Sequence, residues 1–270
     1  MLLREWQGSG RPFVLIHGLA SNSLTWTSVA SILAGAGHRV LAYDQRGHGL
    51  SEKPATGYGF DEICADLESL LRERDVREPI LVGQSWGGNV VLEYAARHPG
   101  QAHGLGFVDG GFLDLQNRPG ATWKSIEQEL RPPDLRGILR EELKRKIQEM
   151  HPQWTEEGLE GTLANMEILP DQTVRPWLSL EHHLEILRAL WDQRPLQLFP
   201  RIEEPVLICA AEVGETQRME QKRRAVVAAQ KGLARSQVVW FPATDHDIHV
   251  HRPRDISDLF LRSVRQGIWS

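Results

Sequence analysis

Cysteine is almost missing from this chain, with only Cys64 and Cys209 among 270 residues. Cys209 lies in the apolar run "PVLICAA" and Cys64 in a helix-like pattern. That excludes a disulfide framework and suits buried or semi-buried thiols of a reducing compartment. A basic excess is missing too: 31 Lys and Arg face 36 Asp and Glu, for a net charge of −5. With no face-sized positive field to neutralise phosphates, a nucleic-acid partner is excluded. The short basic run "LKRKIQEM" (143–150) alternates with acids and reads as a solvated helix face. No apolar run approaches the roughly eighteen residues needed to span a bilayer, so no membrane partner is expected. The opening "MLLREWQGSGRP" lacks the apolar core of about seven residues and the small-residue cleavage site of a secretory signal, and a cytoplasmic location is expected. No internal repeat or low-complexity tract occurs.

What is present is the composition of a soluble globular protein, 41% hydrophobic and 25% charged. At this length, one domain with an insertion is favoured over two independent domains. Six short apolar runs stand out: "FVLIHG" (13–18), "RVLAYD" (39–44), "PILVG" (79–83), "GLGFVD" (104–109), "PVLICA" (205–210) and "QVVWF" (237–241). Their continuous hydrophobicity suits strands buried on both faces of a parallel sheet. Between them, 25–36, 60–73, 87–97, 217–233 and 253–266 space apolar residues as helices do, and Pro253 can occupy a first helical turn. Strand–helix alternation of this length implies βαβ units and a three-layer α/β architecture.

The rhythm breaks across 114–200. No strand is evident there, only amphipathic segments at 135–150, 156–166 and 180–191, which predict a helical insertion over one end of the sheet. The core is accordingly assigned to 1–113 and 201–270 and a helical cap, or lid, to 114–200. Its Trp123, Trp154, Trp177 and Trp191 are read mainly as packing residues, although such a cap would also supply an apolar pocket.

The stretch "ILVGQSWGGN" places Ser85 between Gly83 and Gly87, after a predicted strand and before a predicted helix. A strand-to-helix turn strains its central residue and projects the hydroxyl outward, and small flanking residues let strand and helix approach. The following helix N-terminus favours developing negative charge. Ser85 is therefore the candidate nucleophile. Oxyanion donors are expected from the backbone N–H of Leu19, in "LIHGLASN", and of Trp86, with both side chains lining the acyl side of a substrate. His17 is read as a structural histidine that hydrogen-bonds its loop. The general base is expected on "FPATDHDIHVHRP", after the last strand, where His246 comes first. His249 and His251 are assigned positioning or surface roles. A metal cluster is the alternative for this loop, but neither H-E-x-x-H nor a cysteine partner supports it, so no metal and no cofactor are expected.

These features together, "HGLASN", "YDQRGHGLSEKP", "GQSWGG" and "DHDIHVHRP", resemble the α/β-hydrolase superfamily along nearly the whole chain. The resemblance implies the α/β-hydrolase fold, a mostly parallel central sheet flanked by helices, and a serine esterase-like member. It aligns Ser85 with the family nucleophile, His246 with its base, and Leu19 and Trp86 with its oxyanion donors. The run "DQRGHGLS" (44–51) corresponds to a tight turn whose role in the family is mainly structural.

The acid departs from the pattern. Relatives carry an aspartate after the penultimate strand, whereas "PVLICAAEVGET" has Gly214 near that place and offers only Glu212 and Glu215. A second place used in the superfamily is the end of the strand after the nucleophile's helix, where Asp109 precedes Gly110 and Gly111. Asp109 ranks first, then Glu215, then Glu212; a turn-capping aspartate is the structural alternative. Asp245 and Asp247 stand too near His246 in sequence to reach its far nitrogen. Asp109→Asn is expected to lower turnover with little change in folding.

The expected activity is cofactor-free hydrolysis of a small to medium apolar carboxyl ester through an acyl-enzyme. Lactonase, thioesterase, proline iminopeptidase or carbon–carbon hydrolase chemistry is the alternative, as is a binding protein that has lost turnover. A homodimer is compatible with this reading.

Overall fold

The computed structural model describes residues 1–214 and 216–270. Each continuous apolar run forms a strand: β2 (Gly10–Ile16), β3 (His38–Tyr43), β4 (Ile80–Gln84), β5 (Gly104–Val108), β8 (Val206–Glu212) and β9 (Ser236–Pro242). With β1 (Leu3–Trp6) they make a seven-stranded sheet of order β1-β3-β2-β4-β5-β8-β9. Only β1 runs antiparallel, against β3; the other neighbours are parallel. The continuous hydrophobicity has a direct cause. Along β2, Phe13 and Leu15 join one buried cluster while Val14 and Ile16 join another, so alternate side chains enter two cores.

Helices cover both faces. One core takes Val29, Ala30 and Leu33 of α1 (Thr27–Gly35), and Ile256 and Phe260 of α11 (Pro253–Gln266), with Trp269. The other takes Phe60, Ile63, Leu67 and Leu70 of α2 (Phe60–Glu73), Val90, Val91 and Leu92 of α3 (Trp86–Arg97), and Val226 and Ala229 of α9 (Gln217–Gly232). Both cysteines are free and buried. Among the described residues no helix is long and apolar enough to cross a membrane.

Between β5 and β8 lie α4 (Trp123–Glu129), α5 (Arg140–Met150), α6 (Glu156–Leu163), α7 (Leu180–Asp192) and the short α8 (Pro195–Leu198). This region was expected to contain no strand. It holds a hairpin instead, β6 (Met166–Ile168) against β7 (Val174–Pro176), whose turn places Gln172 at φ 65°. Three-residue strands with a single buried residue between them are too brief to leave an alternation in the sequence. The tryptophans here pack on neighbours: Trp123 meets Trp191 edge-on, Trp154 stacks on His151, and Lys53 lies over Trp177.

The same segment contacts the loops at the carboxyl ends of the strands. Asn22 Nδ2 donates to Gly161 O at 2.8 Å, and His182 stacks on Tyr58. His151 Nδ1 meets Asp245 Oδ2 at 2.9 Å on the loop after β9. Asn89 of α3 exchanges hydrogen bonds with Gln193, its Nδ2 donating to Gln193 Oε1 at 2.7 Å.

Candidate active site

Ser85 sits between β4 and α3 with φ 52° and ψ −123°, a backbone conformation that an L residue adopts under strain. The flanking glycines make it feasible by close approach. A Cβ on Gly83 would come within 2.1 Å of Gly87 O, and one on Gly87 within 2.5 Å of Ile16 O. Ser85 N donates to Val108 O at 2.9 Å, tying the turn to the end of β5. Ser85 alone is partly exposed in the otherwise buried run from Leu81 to Val90.

Asp109 follows β5 immediately, itself at φ 45°, and its N–H donates to Cys209 O at 2.8 Å. The adjacency of β4, β5 and β8 therefore sets Ser85 and Asp109 at neighbouring strand ends. From the loop after β9, His246 Nδ1 reaches Asp109 Oδ2 at 2.6 Å. A carboxylate only accepts, so Nδ1 carries the hydrogen and Nε2 is left as the acceptor nitrogen. The Asp109 side chain is 2% exposed, whereas the His246 side chain is 49% exposed. Burial would raise the Asp109 pKa, but the hydrogen bond and charge of His246, together with Lys222, outweigh it and hold the pKa below the ordinary value. For His246, the surrounding protein lowers the imidazole pKa, yet the bond and charge of Asp109 carry it above the ordinary value. Among the described residues neither Ser85 Oγ nor His246 Nε2 has a hydrogen-bond partner, so the serine–histidine contact is not formed.

The Gly18–Leu19 turn adjoins the elbow: a Cβ on Gly18 would stand 3.2 Å from Ser85 Cβ. Two turns brace it. Ala20 N donates to His48 Nε2 at 3.2 Å, and Asp44 Oδ1 accepts from Ser23 N at 2.8 Å. The backbone N–H groups of Leu19 and Trp86 donate to no protein acceptor among the described residues, and Trp86 opens a helix, where N–H groups have no intrahelical partner. The Trp86 indole, expected to line a substrate site, is 1% exposed and stacked on His48. The Leu19 side chain is half-buried against the core.

A model of the alpha/beta hydrolase family matches residues 13–259. The chain belongs to that family. A putative non-heme chloroperoxidase of Synechocystis sp. is 41% identical over 91 residues, 34% of this chain and 33% of that protein. The match thus spans about a third of that relative's length. Among solved structures, E-2-(acetamidomethylene)succinate hydrolase has a TM-score of 0.79 at 22% identity, covering 96% of this chain and 93% of that one. An esterase from Exiguobacterium antarcticum has a TM-score of 0.75 at 20% identity, covering 98% and 95%. At these identities the structures establish a shared fold.

In this alpha/beta hydrolase the remaining candidates are dispersed. Glu212, at the end of β8, pairs with Arg223 at 2.8 Å; Glu215 lies outside the described residues. His17 is fully buried, accepts from Gln45 N through Nε2 at 3.0 Å and donates through Nδ1 to Gly18 O at 2.8 Å, which is structural bonding. Asp245 pairs with His151, and His251 Nδ1 accepts from Asp245 N at 3.1 Å. His249 is buried against Trp26 with neither ring nitrogen hydrogen-bonded. Among the described residues no group of His, Cys, Asp and Glu is arranged to hold a metal ion.

Lys222 on α9 was missed by the sequence reading. Its Nζ stands 2.9 and 2.8 Å from Asp109 Oδ1 and Oδ2. In "QRMEQKRRAVV" it is one of several cations on an amphipathic helix, and its partner is 113 residues away. Nothing local distinguishes it from Arg218 or Arg224.

Proposed function

We propose that the protein is a cofactor-free serine hydrolase that cleaves small to medium apolar carboxyl esters. The observation that carries this reading is the 2.6 Å bond from His246 to buried Asp109, which leaves Nε2 unpartnered at the strand ends that hold Ser85. Ser85 Oγ attacks the ester carbonyl while His246 Nε2 takes its proton. Asp109 keeps the tautomer and stabilises the imidazolium. The oxyanion accepts hydrogen bonds from the N–H groups of Leu19 and Trp86. Collapse expels the alcohol, which receives the proton from His246, and water repeats the sequence to release the acid. The unformed serine–histidine contact is compatible with this, because such contacts often tighten only with substrate bound. Segment 114–200 acts as the cap, its contacts to the loops around Asn22, Tyr58 and Asp245 standing beside the same strand ends.

A fluorophosphonate probe and a panel of p-nitrophenyl esters, lactones and aminoacyl arylamides test it. Wild-type protein labels at Ser85, Ser85→Ala does not, and esters turn over fastest. Folded wild-type protein that neither labels nor turns over any substrate defeats the proposal. The relative named a non-heme chloroperoxidase motivates a second reading, halide oxidation by peroxide. Halogenation of an activated ketone by peroxide and chloride, retained in Ser85→Ala without any acyl donor, would favour it.

A further inference from the structure

We propose that Lys222 is a positioning residue that shares the Asp109 carboxylate with His246 and thereby holds the proton affinity of His246 below that of an unshared aspartate–histidine pair.

The geometry is that of a built ion pair. Asp109 has four occupied acceptor positions: Oδ1 takes Ala211 N at 2.9 Å and Lys222 Nζ at 2.9 Å, while Oδ2 takes Lys222 Nζ at 2.8 Å and His246 Nδ1 at 2.6 Å. The ammonium is equally committed, its third partner being Ala211 O at 2.9 Å. Three donors meet three acceptors, so this lysine is not sampling the surface. Its placement follows from the moved acid. With the aspartate just after β5, the end of β8 presents the Ala211 amide to the carboxylate and the Ala211 carbonyl to the ammonium that α9 delivers.

A lone carboxylate lends its full charge to the imidazolium that forms on proton uptake. Here a fixed positive charge touches both oxygens, so imidazolium forms beside a carboxylate that is already compensated. The consequence is a base that stays neutral to lower pH, in exchange for some imidazolium stabilisation. The other titratable groups coupled to the pair are Asp247 on the histidine loop, buried His249 on the short helix α10 (Ile248–His251) and buried Cys209 on β8, while Asp245 and His151 act on Asp247, and His17 on His249, one step further out. Of these only the two aspartates can counter Lys222, and Asp245 is engaged with His151.

The inference uses the site of the proposed hydrolase, so its test reads the imidazole directly. Heteronuclear NMR titration, with His246→Gln to assign the signal, compares wild type with Lys222→Met, Lys222→Gln and Lys222→Arg. The neutral variants raise the His246 pKa by about one unit, and the arginine variant stays within about 0.3 unit of wild type. The acid limb of kcat/KM for p-nitrophenyl acetate moves up with it. An unchanged His246 pKa in a folded neutral variant overturns the proposal. So does unfolding of both neutral variants while Lys222→Arg folds, because Lys222 is then a structural clamp alone. If wild type hydrolyses no ester but the titration shifts as stated, the reaction assignment fails and this inference stands.

Discussion

Gly110 lies so close to Ser85 that a Cβ at position 110 would stand 2.0 Å from the Ser85 carbonyl oxygen and 2.7 Å from its nitrogen. Both are backbone atoms of the strained turn, and that oxygen already accepts Gly88 N at 2.9 Å. Neither partner can yield as a flexible side chain would. Gly110→Ala therefore displaces the elbow or the turn after Asp109. We expect a stability loss of about 1–3 kcal/mol by thermal unfolding and roughly a hundredfold fall in ester kcat from misplacement of the nucleophile. Wild-type turnover in the folded variant contradicts the packing argument.

Asp109→Asn is expected to lower kcat by about 10³–10⁴-fold, because an amide can hold the wrong imidazole tautomer and cannot stabilise the imidazolium. The ion pair with Lys222 leads us to expect a larger effect on folding than the sequence alone suggested. The substitution leaves the partly buried Lys222 facing a neutral amide, at a cost of about 1–3 kcal/mol in urea unfolding at neutral pH. The pH dependence follows from the lowered folded pKa of Asp109. Its contribution is present above the ordinary aspartate value and is lost as pH falls through the folded value. The variant should accordingly show a flatter stability profile in acid. Unchanged stability across that range would mean that the ion pair contributes nothing.

How much of this could be read beforehand follows from what each element needs. The buried strands and α2 and α11 were legible because two-faced burial and helical spacing are local patterns. β1 was not: "LREW" sets two adjacent charges between two apolar residues, with no alternation and all four partly buried at a sheet edge, and only its pairing with β3 defines it. The elbow at Ser85 was legible because it is local, with its strand, glycines and helix start within ten residues. Asp109 was legible only as a ranked choice, since its distinction from Glu212 lies in long-range geometry. Lys222 and the burial of the Trp86 indole depend on packing alone.

The acid limb of ester hydrolysis should lie above the ordinary histidine value. His246 must be neutral to take the serine proton, and its pKa is raised by Asp109 against the opposing effect of the protein around it. kcat/KM should therefore fall about tenfold per pH unit below that raised value. Stability moves in the opposite sense for this group. A raised pKa favours the folded state below the ordinary histidine value, and that contribution fades as pH rises through the folded value. Initial rates at saturating and limiting substrate across pH 5 to about 9 check the limb. A limb well below the ordinary histidine value would exclude His246 as the base.

His249 supplies the contrasting titration. It is buried against Trp26 with the two rings tilted at 38°, both ring nitrogens lack a partner, and burial lowers its pKa to about 3. A neutral imidazole in the fold must take up a proton on unfolding at any pH between that value and the ordinary one. Stability is therefore fully present above about pH 6.5 and falls by about 1.4 kcal/mol per unit as pH drops toward the folded value. His249→Phe keeps an aromatic ring against Trp26 and removes both the proton uptake and two unsatisfied nitrogens. Urea unfolding near pH 5 should show the variant more stable than wild type by about 1–2 kcal/mol, with a smaller difference near pH 8. A destabilised variant with an unchanged acid slope would mean that the ring nitrogens are hydrogen-bonded in solution, for instance to an internal water, and that His249 is held for that contact.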